Sequence, residues 1–259
     1  MIQVSESCIG CLRCIPICPG TVLSERDGVV INNGRFCIGC LHCAAICPVH
    51  AITNDGKQVL LDVNLPPLPE SLPDDLTNLL LRRRSYRRFQ KRPVPQEIIN
   101  NALHLANWAP SACNQHPVRW LLVESTSIKN QMMDIILAYC QETGQSPEIA
   151  ELFKAGNNVV FGQNASVLLC YCQDRSVNPN ADAAIALAHI ELFFQAQGIG
   201  TCWAGYFSDL ANKIPSLNSI LRIPNGCSIY NAILFGWPDQ EHYEGIPSRA
   251  SKQEKILTL

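Results

Sequence analysis

A chain of 259 residues with 47% hydrophobic and 16% charged residues accommodates one small module plus one domain of ordinary size, with enough apolar side chains for a packed core. Its formal net charge of -2 at pH 7 excludes bulk attraction to nucleic acid or to an anionic membrane. Residues 1–6 hold neither a basic segment nor an apolar stretch, and no uninterrupted spanning run follows, so the expectation is a soluble, cytoplasmic protein with no nucleic-acid or membrane partner.

Two near-copies of one cysteine pattern fill the first fifty residues. Cys8, Cys11, Cys14 and Cys18 form C-x-x-C-x-x-C-x-x-x-C-P, and Cys37, Cys40, Cys43 and Cys47 repeat it, each copy ending in a proline (Pro19, Pro48). Ile, Gly and Leu recur in register with the cysteines, as do Ile17 and Ile46. A zinc site wants two C-x-x-C pairs, and a disulfide framework wants an oxidising compartment; neither explains three cysteines on one tight loop. The pattern resembles that of bacterial ferredoxins carrying two [4Fe-4S] clusters, in which the fourth cysteine of each copy serves the other cluster. That resemblance implies Cys8, Cys11, Cys14 and Cys47 for one cluster, and Cys37, Cys40, Cys43 and Cys18 for the other. The remaining cysteines, Cys113, Cys140, Cys170, Cys172, Cys202 and Cys227, are expected to be reduced, buried thiols.

Residues 51–62 read as a turn and strand closing a first domain over residues 1–62, with Asn54-Asp55-Gly56 as the turn. Residues 63–73 contain four prolines and predict a stiff linker, either a tether that holds the clusters near a second redox centre or a plain spacer. A second domain then spans 74–259. Asp74 or Asp75 caps a helix through Leu81, and Pro95 opens another that runs to Trp108 and stops at Pro110. Residues 118–123, 165–172 and 228–235 read as strands. Residues 181–194 form a helix apolar on nearly every face, which must be buried all round, so a homodimer is expected. The segment from Gln141 to Gly162 is a lid or a surface loop.

Seven cations lie within residues 82–92, in the order Arg-Arg-Ser-x-Arg-x-Phe from Arg83. A solvated charge run or nucleic-acid patch is the alternative, but the ordered motif at a helix exit reads as a phosphate site, with Arg as planar forks and Ser as a further donor. Gly198-Ile199-Gly200 lacks the third glycine of a dinucleotide fingerprint and follows a helix, which rules that reading out. The histidines show no metal-ligand spacing with one another.

The basic motif, residues 108–117 (Trp-Ala-Pro-Ser-Ala-Cys-Asn-Gln-His-Pro) and residues 198–205 (Gly-Ile-Gly-Thr-Cys-Trp-Ala-Gly) together resemble the nitroreductase family of flavin enzymes. With its N-terminal module the chain is similar to the ferredoxin-fused members found in anaerobic bacteria and archaea. The fold class this implies is α+β: a two-[4Fe-4S] ferredoxin domain followed by an FMN-binding nitroreductase-like domain, homodimeric. By the same resemblance Arg83, Arg84 and Ser85 hold the FMN phosphate and ribityl end, Arg87 approaches the pyrimidine side of the ring, and Arg249 reaches phosphate. Pro110, Ser111, Ala112 and Asn114 match a loop laid across the flavin of the other subunit. Ala204 and Gly205 match a turn whose amides face the ring. Trp108, Trp203 and Phe161 are either walls of the substrate space or core. No catalytic side chain is expected, because FMN carries the chemistry. The implied function is an oxidoreductase passing electrons between the clusters and FMN to a small acceptor such as a nitroaromatic or quinone, with ferredoxin or NAD(P)H as possible donor. The alternatives are an NAD(P)H-oxidising flavoprotein exporting electrons through the clusters to a partner, and a redox relay or sensor subunit with no small substrate.

Overall fold

Asp-Gly pairs between short strands shape the N-terminal unit. Asp27 and Gly28 hold φ 52 and 80, and Asp55 and Gly56 hold φ 50 and 72, the doubly positive geometry that matches the twist of a two-residue hairpin. The first pair joins β2 (Leu23–Arg26) to β3 (Val29–Asn32), and the second joins β4 (Ile52–Asn54) to β5 (Lys57–Gln58). Strand β1 (Ile2–Val4) pairs antiparallel with β4, and a single helical turn, α1 (His42–Ala45), follows β3. Ile2, Leu23, Val30, Ala44 and Ile52 form a small core together with Cys14 and Cys43. Only the second hairpin is anticipated from sequence.

The computed structural model describes residues 1–61, 65–239 and Gly245. It divides into two compact units, one of residues Met1–Pro69 with Ser111–Gln115, the other of Glu70–Pro110 with the chain from His116 onward.

In the second unit, α2 (Leu72–Arg82) begins at Leu72 instead of near Asp74, because Pro73 is tolerated in the first turn, where its missing N–H is no loss. Then come α3 (Gln96–Ala106), β6 (Arg119–Val123), α4 (Thr126–Thr143), α5 (Glu148–Lys154), β7 (Ser166–Gln173), α6 (Pro179–Ala196), β8 (Gly200–Trp203), α7 (Gly205–Ala211), α8 (Pro215–Ile220) and β9 (Cys227–Gly236). The sheet is antiparallel, in the order β6-β7-β9-β8. Both faces are covered, so β7 reads as a continuous apolar run. Its Val167 and Leu169 enter the core that includes residues of α4, α7 and α8, while Leu168, Cys170 and Cys172 enter the core with α3 and α6.

Helix α6 is longer than expected at both ends and is not buried all round in one chain. It buries Ala183, Ala186, Leu187, Ile190 and Phe194 but leaves Ile185 and His189 exposed. The segment 141–162 is not a featureless loop: it holds the end of α4, a Gly144 stop with φ 69, and α5. Among the described residues no helix is long and apolar enough to cross a membrane.

Candidate functional site

Each cysteine loop of the first unit is built on the same backbone. Gly10 and Gly39 hold φ 65 and 67, and Leu12 and Leu41 hold φ 62 and 59, so each loop curls back at equivalent places. Matching amide-to-sulfur bonds follow: Val22 N donates to Cys18 Sγ at 3.3 Å and Ala51 N to Cys47 Sγ at 3.2 Å. Burial, followed by the charges of Cys47, Cys8 and Cys11, pushes the Cys14 thiol up. Burial, followed by Cys40, Cys18 and Cys37, pushes Cys43 up to about 11. Cys18, Cys37, Cys40 and Cys43 also line one cavity with Ile2 and Leu23. Among the described residues no three His, Cys, Asp or Glu side chains converge as for a single ion. Four thiols spaced about an apolar pocket, with amides aimed at sulfur, fit a multi-iron cluster in donor chemistry.

In the second unit the basic run lies along the outer edge of β8. Tyr86 N donates to Thr201 O at 2.8 Å, and Ser85 forms a parallel bridge to Thr201. Arg87 is fixed from the other side, since Gln163 N donates to its carbonyl at 2.9 Å. Burial pushes the Cys202 thiol up, while the charge of Arg87, a hydrogen bond with Ser85 and the charge of Arg83 pull it down. Ser85 and Arg87 are exposed, and Arg83 is half-buried. Arg84 turns away: its Nη1 donates to the carbonyls of Leu81 at 2.7 Å and Arg83 at 2.8 Å, closing the end of α2.

The residue sequence reasoning missed is Glu191 on α6, which is only 8% exposed. It accepts from Trp203 Nε1 at 2.9 Å, Arg83 Nη1 at 3.3 Å and Thr201 Oγ1 at 3.4 Å. One turn on, Gln195 Nε2 donates to Thr201 Oγ1 at 2.7 Å and Arg84 O at 2.9 Å. The signal that could have found it is a carboxylate, one of two with Asp182, in a helix apolar on nearly every face. Beside this network lies a cavity of about 470 Å³, lined by Arg82, Arg83, Tyr86, Gln195 and Trp237 among others. The guanidinium of Arg92 covers the Trp237 ring at 4.3 Å.

At the far end of β8 the Ala204 amide is already engaged, donating to Ala232 O at 2.9 Å because the β8–β9 pairing continues to it. Gly205 opens α7, and a Cβ added there would meet nothing within 4 Å. Pro110 ends its stretch of the second unit; Ser111, Ala112 and Asn114 group with the first unit, where Asn114 Nδ2 donates to Ile38 O at 3.2 Å. Cys113, expected buried, is exposed, because it stands at φ 51 in a tight 3-10 turn. Cys140, Cys170, Cys172 and Cys202 are buried, and Cys227 is half-buried. Phe161 is core, packed on Phe207 with ring centroids 5.2 Å apart; Trp203 is tied to Glu191, and Trp108 is 77% exposed. Arg249 lies outside the described residues.

Comparison with known proteins supplies two family matches. A model described as the nitroreductase family matches residues 80–237, and one described as a 4Fe-4S dicluster domain matches residues 7–52. An NADH dehydrogenase of Thermus thermophilus is 22% identical over 205 residues, covering 71% of this chain and 95% of that protein. An FMN-bound nitroreductase from Desulfitobacterium hafniense superposes with a TM-score of 0.59 at 19% identity, over 74% of this chain and all of the other. One from Bacteroides fragilis gives 0.59 at 15% identity, with the same coverages.

Proposed function

Since the chain belongs to the nitroreductase family of flavin-dependent oxidoreductases, we propose that it is an FMN enzyme that exchanges electrons with two [4Fe-4S] clusters in its own N-terminal unit and reduces a small acceptor such as a nitroaromatic or quinone. The observation that carries this reading is the cavity that Cys18 lines together with Cys37, Cys40 and Cys43, with backbone amides donating to Cys18, Cys37 and Cys47 sulfur. When bound, the clusters supply one-electron chemistry and the flavin both one- and two-electron chemistry.

The chain's own residues bind and tune. Carried along the edge of β8, Arg83 and Ser85 supply a guanidinium fork and a hydroxyl for the phosphate end of FMN, and Arg87 a cation near the ring. Arg84, committed to the α2 carbonyls, shapes the site through its backbone. With the Ala204 amide paired to Ala232, Gly205 is the donor left to face the ring edge. On the family pattern, Pro110, Ser111, Ala112 and Asn114 of one subunit lie across the flavin of the other, and Arg249 adds a phosphate contact.

The homodimer in this reading is supported by α2, whose Leu76, Leu80 and Leu81 stay 44%, 52% and 52% exposed, and by the uncovered Ile185 of α6. The donor is a reduced ferredoxin or NAD(P)H. The deciding experiment is an anaerobic visible titration of the purified protein with NADH, NADPH and reduced ferredoxin in turn. Reduced ferredoxin is expected to bleach both cluster and flavin bands, with reoxidation by a nitroaromatic or quinone. A protein that purifies without flavin, or whose bands none of the three donors bleaches, overturns the reading.

A further inference from the structure

The two cysteine loops are copies, so each serves as a control for the other. In the second copy the peptide between Ile38 and Gly39 is bonded at both ends. Its N–H donates to Cys37 Sγ at 3.4 Å, and its carbonyl accepts from Asn114 Nδ2 at 3.2 Å. Asn114 arrives from far along the chain, in the Ser111–Gln115 segment that groups with the N-terminal unit. It holds φ 54 between Cys113 at φ 51 and, two residues on, His116 at φ 44. Three side-chain-bearing residues in the left-handed region within four positions persist only where the surroundings over-determine them.

The first copy has other neighbours. Ile9, the counterpart of Ile38, is 63% exposed, whereas Ile38 is half-buried. Cys11 is exposed, whereas its counterpart Cys40 is half-buried. A Cβ on Gly10 would come within 2.4 Å of the Gly28 carbonyl oxygen, while one on Gly39 meets nothing within 4 Å. Identical motifs therefore sit in unlike surroundings.

We propose that Asn114 is a positioning residue for the second cluster pocket, holding and polarising the Ile38–Gly39 peptide so that its N–H stays on the Cys37 sulfur. The proposal rests on the reading of the cysteines as cluster ligands. A hydrogen bond to a ligand sulfur stabilises added negative charge, and a donor on the peptide carbonyl strengthens the N–H at its other end. Loss of the Asn114 amide therefore makes the cluster held by Cys18, Cys37, Cys40 and Cys43 harder to reduce. The cluster held by Cys8, Cys11, Cys14 and Cys47 does not sense it.

The test is an anaerobic potentiometric titration of the full-length holoprotein, followed by electron paramagnetic resonance, in wild type, Asn114→Asp and Asn114→Gly. Aspartate keeps the size but replaces the donor with an acceptor; glycine removes the amide and adopts the left-handed backbone without strain. Cys11→Ser, which alters the first pocket, assigns the two signals. In both Asn114 variants the ratio of reduced to oxidised second-pocket cluster at a fixed potential should fall about two- to tenfold, the net worth of one hydrogen bond. The first-pocket signal should stay in place. Equal shifts in both signals, or a shift in neither, overturn the proposal while leaving the cluster reading intact. A wild type whose iron and sulfide content shows no four-iron cluster overturns both.

Discussion

Glu191→Gln separates what this carboxylate does for the fold from what it does to Arg83. At 3.3 Å the gross attraction between the two is about 5 kcal/mol at an effective dielectric of about 20. Desolvation offsets most of it, and the Arg83 side chain is 28% exposed, which leaves about 1–2 kcal/mol net. The Trp203 hydrogen bond at 2.9 Å survives in the amide but passes from charge-assisted to neutral, a further loss of about 1 kcal/mol. Urea unfolding of the flavin-free protein should therefore show a loss of about 2–3 kcal/mol. FMN affinity should move the other way. With no carboxylate competing for its guanidinium, Arg83 offers its full charge to the phosphate, and binding should tighten by up to about fivefold in a flavin-fluorescence titration. Stability within about 0.5 kcal/mol of wild type would remove Glu191 as the organising group. Weaker FMN binding would show that the pair orients Arg83 for phosphate instead of restraining it.

Cys47→Ser should cost the iron of the pocket shared with Cys8, Cys11 and Cys14, although Cys47 sits in the second motif; loss confined to the other pocket, seen by electron paramagnetic resonance and iron content, would mean that the ligands are not crossed. Gly162→Ala should destabilise the protein by about 1–3 kcal/mol and lower its FMN content, because φ is +63 and the new Cβ would lie 2.5 Å from the Arg87 carbonyl oxygen. Unchanged urea unfolding and FMN content would count against that placement of Arg87. Burial pushes the Cys170 thiol from 9.0 up to about 12 and the Cys172 thiol up to about 11. The unfolded chain releases these protons first, so stability is full below pH 9 and then falls by about 1.4 kcal/mol per pH unit per thiol until each folded value is passed. A flat urea-stability profile across pH 9 to 11, after removal of Cys170 and Cys172 is shown to change nothing, would refute it.

Legibility from sequence tracks how local each contact is. The duplicated cysteine loops were readable because their pattern is a matter of spacing within tight turns, and the strands β6, β7 and β9 because a sheet covered on both faces leaves long apolar runs. Strand β8 was missed: Gly200-Thr201-Cys202-Trp203 is too short and mixed to show a period, and its strand character comes from pairing with β9 on one side and the basic run on the other. The basic motif that holds Arg83, Ser85 and Arg87 was legible, but not the fate of Arg84, whose side chain satisfies helix-end carbonyls.

The deeper limit is that duplicated sequence implies duplicated surroundings, and here it does not deliver them. Nothing in the two cysteine motifs distinguishes Ile9 from Ile38 or Cys11 from Cys40. One difference between them is the hydrogen bond that Ile38 O accepts from Asn114, more than seventy positions further along. Glu191 teaches the same lesson within the other unit: its partner Arg83 lies over a hundred residues earlier. Ligands that a loop can supply by itself are written in the loop, whereas the groups that make two like pockets unequal, or set the charge on a binding arginine, come from elsewhere in the chain. On the proposed reading, cluster potential and FMN affinity are therefore tuned by contacts that spacing does not reveal.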